Sequence, residues 1–131
     1  MTSERSQIDD PGALAEVAVA FDRYEAALVA NDVALMDSFF WDDDRTVRFG
    51  IAENLHGYRA VARWRAAAEP VPVDRRITWR SLLAVGTDVV QVDCEFRNGD
   101  DPSIGRQSQL WVRRPEGWRI VRAHVSLIDE P

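Results

Sequence analysis

Apolar residues in the first half of the chain recur every three or four positions, which is the spacing of an amphipathic helix. In the first such segment Tyr24 falls on the apolar stripe, and Asn31-Asp32 ends that segment and caps the next one. Pro70 and Pro72 end the third segment, because proline cannot continue a helix. The pattern predicts three helices, over residues 13–30, 33–40 and 58–68.

The rest of the chain shows patterns typical of β-strands, separated by turn-forming residues such as Gly86-Thr87 and Pro115-Glu116-Gly117. A short strand is predicted over residues 46–51, and residues 53–57 are predicted to form a connection. The longer predicted strands span residues 76–85, 88–97, 104–114 and 118–128.

Helices followed by a meander of strands are the order of an α+β domain. We expect three N-terminal helices packed on a curved antiparallel or mixed sheet, which leaves a cone with one open end and a pocket between helices and sheet. The last two strands carry apolar residues on both predicted faces: Trp111, Trp118, Ile120, Val121 and Val125. A sheet that is apolar on both faces usually buries both. Because the helices cover one face, we expect a homodimer built on the outer face.

The 131 residues are the length of one domain, and 46% of them are hydrophobic, enough for a core. We predict a flexible or loosely docked tail over residues 1–12 and a single domain over residues 13–131. The tail lacks the apolar segment of a signal peptide, and no apolar run approaches the ~20 residues that cross a bilayer. The expected location is the cytoplasm, with no membrane partner.

The net charge of −6 argues against nucleic acid as a partner. All sixteen basic residues are arginine, so every cation is a planar fork suited to carboxylates, and no lysine is available for Schiff-base chemistry. Cys94 falls on an apolar strand face and is predicted to be core filler. Neither a phosphate-binding glycine loop nor a metal-ligand pair of histidines occurs, so we expect no metal and no cofactor.

Two parts of the chain carry a resemblance to a known family. The N-terminal part contains FDRYEAALVAND at 21–32, then 35–41, RTVRFG at 45–50, ENLHGY at 53–58 and RWR at 63–65. The C-terminal part contains GRQSQLW at 105–111 and GWRIVRAHVS at 117–126. These blocks resemble the AtzH-like family, which belongs to the SnoaL-like branch of the NTF2-like superfamily.

The resemblance implies an NTF2-like cone and a small-molecule enzyme. The family's characterised activity is a decarboxylating amidohydrolase reaction, which converts 1,3-dicarboxyurea to allophanate in cyanuric acid breakdown. Its critical tyrosine and arginine fall on Tyr24 and Arg48. The resemblance also implies a small anionic substrate and a functional association with an amidase.

Tyr24 and Arg48 are therefore the candidate catalytic residues. By spacing alone Tyr24 is a core tyrosine bonded to a carbonyl; the family likeness favours a phenol that faces the pocket as general acid. Arg48 lies on the strand face opposite Val47, Phe49 and Ile51. It is either an exposed strand arginine or a carboxylate clamp that gives two parallel hydrogen bonds.

Three further residues are candidates for substrate binding: Arg65, Gln109 and His124. Arg65 follows a partly apolar stripe of the third helix, where it either pairs with an acid at the rim or holds the second end of a dicarboxylated substrate. His124 is either a structural hydrogen-bonding residue or a group that orients substrate or water. Gln107 shares the strand face of Gln109 and is less favoured because it lies nearer the start of the strand.

Two other functions stay open. One is another SnoaL-like isomerase or hydrolase activity, which requires an inward carboxylate base near the sheet. Asp93 and Glu95 lie on the polar face of their strand, which argues against it. The other is a non-catalytic module that binds a small acidic metabolite or docks on an amidase, since the fold alone does not imply catalysis.

Overall fold

The computed structural model describes residues 7–131 of the chain. The helices are α1 (Pro11–Ala30), α2 (Val33–Ser38) and α3 (Tyr58–Ala67), and the strands are β1 (Val47–Phe49), β2 (Asn54–His56), β3 (Arg75–Val85), β4 (Val89–Asn98), β5 (Ile104–Arg114) and β6 (Gly117–Ile128).

Capping residues set the boundaries of the first two helices. Asp10 accepts a hydrogen bond from the backbone N–H of Ala13 at 2.9 Å, which satisfies one free donor at the start of α1. Asn31 ends α1 in the left-handed conformation, with φ of 53°. Asp32 then caps α2 by accepting from the backbone N–H of Leu35. The predicted junction at Asn31-Asp32 is therefore the observed one.

All six strands form one mixed sheet in the order β2-β1-β6-β5-β4-β3. Neighbours run antiparallel except β1 and β6, which are parallel. The prediction of an α+β domain with three helices on a curved mixed sheet is confirmed. Residues 54–56, predicted to be part of a connection, form β2 because the backbone N–H of Gly50 bonds the carbonyl of Glu53 and closes a short hairpin.

A β-bulge in β6 changes which residues face the helices. Leu110 of β5 pairs with Arg122 while Trp111 pairs with Ile120, so Val121 is one extra residue in β6. Before the bulge Ile120 faces inward, and after it Ala123 and Val125 do. Every later side chain is thereby moved to the face opposite the one that simple alternation predicts.

The core lies between α1 and the inner face of the sheet. Its largest fully buried side chains include Phe21 of α1, Trp111 of β5 and Ile120 of β6. Cys94 is buried in the same core, as its strand pattern predicted. Within residues 7–131, no helix is long and apolar enough to cross a membrane.

The segment before α1 is attached to the sheet. Ile8 pairs with Val85 at the end of β3, and Asp9 and Ala84 exchange two hydrogen bonds of 2.9 and 3.1 Å. Of the predicted tail, residues 7–12 are therefore docked, and α1 begins two residues earlier than the predicted Ala13. Residues 1–6 lie outside the described part of the chain.

Candidate functional site

A cavity of about 290 Å³ lies between the helices and the inner face of the sheet. Its apolar lining includes Leu28 and Trp64. Its polar lining includes Tyr24, Arg48, Glu53, Arg75, Asn98 and Gln107. The volume is at the small end of ligand pockets and suits a compact molecule.

Tyr24 is held by aromatic packing on one side and by a cation on the other. Its ring centroid lies 6.0 Å from those of both Phe39 and Phe40, and the residue is 3% exposed. The phenol oxygen accepts a hydrogen bond of 3.3 Å from Nη2 of Arg65. Since that bond uses a lone pair of the oxygen, the phenolic proton stays available for an acceptor in the cavity.

Arg65 reaches the cavity through this phenol. It is 5% exposed, its Nε donates to Oδ1 of Asp37 at 3.0 Å, and its Nη1 contacts Sδ of Met36 at 3.2 Å. Burial raises the pKa of Asp37, and the charge of Arg65 opposes that rise. The structure therefore places Arg65 behind Tyr24, where it lines a narrow crevice of about 60 Å³ that shares Arg48 and Trp64 with the main cavity.

Arg48 projects from the inner face of β1 into the main cavity. Its Nη1 donates to Oε1 of Glu53 at 2.7 Å, and its guanidinium carbon lies 4.1 Å from the ring centroid of Trp64. Gly50 makes the first contact possible, because a Cβ there would collide with the Glu53 carboxylate. Ile51, predicted on the opposite face, also lines the cavity because the chain bends away from β1 after Phe49.

A second arginine of the cavity, Arg75, was not predicted as a site residue. Its Nε and Nη2 donate to the two carboxylate oxygens of Glu25 at 2.9 and 3.2 Å. Gln107 donates to the same carboxylate at 3.0 Å. Neither residue could be identified from the sequence. Glu25 follows Tyr24 directly and belongs to no motif. Arg75 is the first residue of β3, where the alternation of apolar and polar residues does not yet show which face a side chain is on.

The two predicted sheet residues, Gln109 and His124, lie away from this cavity. Gln109 is fully buried and its Oε1 accepts from the indole N–H of Trp111 at 3.0 Å, so it is a core residue. Gln107, two residues nearer the start of β5, lines the cavity instead. Gln109 was favoured over Gln107 because of its position along the strand, and that criterion did not select the glutamine that lines the cavity.

His124 lies on the outer face of the sheet, opposite the face that holds Tyr24. The bulge at Val121 causes this, since it reverses the alternation that runs inward through Ile120. His124 and His56 lie with their ring centroids 5.9 and 6.2 Å from that of Phe49. These three residues border a shallow outer depression of about 400 Å³.

The carboxylates and the thiol near the sheet are bonded or protonated, and one more carboxylate, that of Glu69, lines the cavity from the exposed segment after α3. Asp93 faces outward and accepts from the Ser108 hydroxyl at 2.6 Å, as the strand pattern predicted for its face. The inward carboxylates Glu25 and Glu53 are each paired with an arginine. Burial, the largest cause, raises the pKa of the Cys94 thiol to about 11, so it is protonated at neutral pH.

Among residues 7–131, no group of three or more His, Cys, Asp or Glu side chains is arranged to hold a metal ion. The polar groups that line the cavity are therefore a phenol, two guanidinium groups, two amides, the Glu53 carboxylate paired with Arg48, and the exposed Glu69 carboxylate. This set suits recognition of a small anion with hydrogen-bonding nitrogen or oxygen atoms.

Known proteins similar to this chain share its fold over nearly their whole length. A cystatin-like fold protein from Burkholderia xenovorans is 45% identical, with a TM-score of 0.91 over 95% of this chain and 98% of that one. A protein of unknown function from Pectobacterium atrosepticum is 43% identical, with a TM-score of 0.90 over 94% and 96%. No curated protein is matched by the chain.

More distant structures show the fold alone. A putative ketosteroid isomerase from Parabacteroides distasonis is 12% identical, with a TM-score of 0.70 over 94% of this chain and 96% of that one. The family model described as AtzH-like matches residues 6–131. The chain therefore belongs to the AtzH-like family and has the NTF2-like, cystatin-like fold.

Proposed function

We propose that this protein is a decarboxylating amidohydrolase for a small N-carboxylated urea or amide, such as 1,3-dicarboxyurea, which would yield allophanate. The observation that carries the proposal is the Tyr24 hydroxyl, which is buried, accepts from Arg65 and lines the same cavity as Arg48. A proton donor beside an anion-binding guanidinium is what loss of CO2 from an N-carboxylate requires.

In the proposed step the carbon–nitrogen bond of the N-carboxylate breaks and its electron pair stays on nitrogen. Tyr24 gives its proton to that nitrogen, so CO2 leaves and an amide or urea N–H forms. The phenolate then recovers a proton from water, and the hydroxide combines with CO2 as bicarbonate. The Arg65 cation, 3.3 Å from the phenol oxygen, stabilises the negative charge that this oxygen carries in between.

Arg48 is the group proposed to hold the carboxylate. Glu53 takes one of its five N–H donors, which leaves an edge of the guanidinium for two parallel hydrogen bonds. The ion pair with Glu53 and the stacking on Trp64 fix the plane of that edge. The substrate carboxylate would therefore bind a guanidinium group whose orientation is already fixed.

The test is turnover of 1,3-dicarboxyurea above the uncatalysed blank, by wild type and by Tyr24→Phe. Phenylalanine keeps the ring packing and removes only the proton donor, so we expect the maximal rate to fall roughly 10²- to 10⁴-fold with little change in binding. Arg48→Lys keeps the charge but loses the fork, and both binding and rate should fall. Tyr58→Phe, at the second of the two tyrosines, is the matched control and should behave as wild type.

Two outcomes separate the proposal from its alternatives. If Tyr24→Phe turns over like wild type, the tyrosine is structural and the acid role is wrong. If wild type binds N-carboxylated ureas and amides without turnover, the protein is a binding module. An isomerase activity has less support, because Glu25 and Glu53 are each engaged by an arginine. The other carboxylate of the cavity, Glu69, lies in the exposed segment after α3 and not on the sheet.

A further inference from the structure

The cavity is bounded by arginines from two distant strands of the sheet. Arg48 comes from β1 and Arg75 from β3, and the strands β6, β5 and β4 lie between them in the sheet order. A ligand held by both arginines would therefore extend across the inner face of the sheet. Arg65, for which the sequence left this role open beside pairing with an acid, donates to Asp37, Met36 and Tyr24.

Arg75 is fixed in position but keeps part of its binding capacity. Its side chain is 6% exposed, and its guanidinium carbon lies 3.8 Å from the ring centroid of Phe96. Glu25 binds the edge formed by Nε and Nη2. Among residues 7–131 no acceptor binds the edge formed by Nη1 and the second Nη2 hydrogen. A carboxylate has the geometry that matches this edge.

Asn98 adds an unpaired acceptor at the same place. It lies directly opposite Arg75 in the β3–β4 register and lines the same cavity. Among residues 7–131, its Oδ1 is a buried side-chain oxygen without a hydrogen-bond partner. Such atoms are costly unless a donor reaches them, and the N–H of a ligand in the cavity would supply that donor.

We propose that Arg75 is the second anchor of the substrate, binding a carboxylate whose neighbouring N–H donates to Asn98. One carboxylate of the dianionic substrate is then held by Arg48 and the other by Arg75. This inference rests on the proposed function for the chemistry at Tyr24. It is tested by binding alone, so its failure is distinguishable from failure of the catalytic proposal.

A purely structural ion pair between α1 and β3 is the competing explanation, and the chain contains an example of one. Arg80 of β3 pairs with Asp22 of α1 at 2.8 Å, but its side chain and that of Asp22 are 35% and 69% exposed. Neither residue lines the cavity of Tyr24. Arg80→Gln is therefore a matched control for Arg75→Gln, since both remove a β3 arginine that is bonded to an α1 carboxylate.

The experiment measures binding of two stable probes by calorimetry at low salt. Glutarate has the chain length of 1,3-dicarboxyurea and a carboxylate at each end, and glutaramate replaces one carboxylate by an amide. We expect wild type and Arg80→Gln to prefer glutarate roughly 10- to 100-fold, and Arg75→Gln to bind both probes about equally. Asn98→Asp, which adds a negative charge beside Arg75, should weaken glutarate more than glutaramate.

Two results would overturn the proposal: a wild-type protein that does not prefer the dianion, or an Arg75→Gln variant that keeps the preference. Arg75→Gln leaves the Glu25 carboxylate buried without its cation, which can prevent folding. The double variant E25Q/R75Q removes both charges and has to show the same loss of preference. Turnover gives an independent check, because loss of Arg75 should raise KM far more than it lowers kcat, the opposite of Tyr24→Phe.

Discussion

The three arginines around the cavity differ in function because their partners differ. Arg48 gives one donor to Glu53, Arg75 gives one edge to Glu25, and Arg65 gives its donors to Asp37, Met36 and Tyr24. All three side chains are largely buried, so each carboxylate offsets a charge that would otherwise be costly. What remains unbonded on each guanidinium decides whether it binds substrate or positions another group.

The buried position of Asp37 makes the stability of the protein depend on pH. Burial raises its pKa above the ordinary 3.8, so the folded protein holds the Asp37 proton more strongly than the unfolded chain does. Its contribution to stability is therefore fully present below the unfolded value and is lost as pH rises through the folded value. Asparagine cannot ionise, so its contribution to stability does not change with pH in this way.

We therefore expect the free energy of unfolding of wild type to fall relative to that of Asp37→Asn as pH rises from about 3.5 to 6.5. Urea denaturation of both proteins across this range measures the difference, and Asp32→Asn, at the cap of α2, serves as control for an aspartate without the buried contact with Arg65. A difference that grows in favour of wild type with pH would show that attraction by Arg65 outweighs burial at this site.

At the scale of elements, the sequence allowed the helices and the long strands to be predicted, because periodic patterns over ten or more residues are strong. Tyr24 and Arg65 fall on buried helix faces as their spacing indicated. β2 was missed because Asn54-Leu55-His56 contains a single apolar residue, whereas the equally short β1 lies within the alternating segment of residues 46–51. His124 was assigned to the wrong face because the bulge at Val121, which depends on pairing with β5, is not visible in β6 alone.

Contacts between distant parts of the chain also explain why Arg75 was not predicted. Its position depends on Phe96 beneath it and on Glu25 from α1, which are distant in sequence. Phe96 in turn lies across Gly105 of β5, where a Cβ would collide with its ring. The anchor at this end of the cavity is thus assembled from four elements, α1, β3, β4 and β5, so no single segment of the sequence predicts it.

Replacing Gly105 by alanine tests this dependence. The added methyl group must displace the Phe96 ring, and overpacking of this kind typically costs about 1–3 kcal/mol. We expect Gly105→Ala to lower the free energy of unfolding by that amount and to weaken glutarate binding through the shifted Arg75. Urea denaturation and calorimetry measure the two effects.

The matched control is Gly12→Ala in the first turn of α1, where the nearest atom to an added Cβ is 3.4 Å away. Alanine favours a helix over glycine by up to about 1 kcal/mol, so this variant should be as stable as wild type or more stable. A Gly105→Ala protein that matches it in stability would mean that Phe96 moves aside without loss.

At the scale of the whole molecule, the helices α1, α2 and α3 cover the inner face of the sheet. On the outer face Leu110 and Arg122 border two adjoining depressions, one lined also by Phe49 and the other also by Trp41. Toward the β3 edge, Trp79 and Leu83 of the same sheet are exposed large hydrophobic residues. An apolar sheet face of this kind favours burial against a second copy, and a stable dimer needs roughly 800 Å² from each partner.

We therefore expect a homodimer through the outer face, with a mass twice the 14.9 kDa of the chain in light scattering at micromolar concentration. Leu110→Glu tests the location, because it places a charge between the two depressions and, across a two-fold axis, next to its own copy. This variant should be monomeric, whereas Val73→Glu, in the exposed segment before β3, should remain dimeric. A monomeric wild type would refute the dimer, and a dimeric Leu110→Glu would place the interface elsewhere. Since the cavity opens on the inner side of the sheet, the monomeric variant should still bind glutarate.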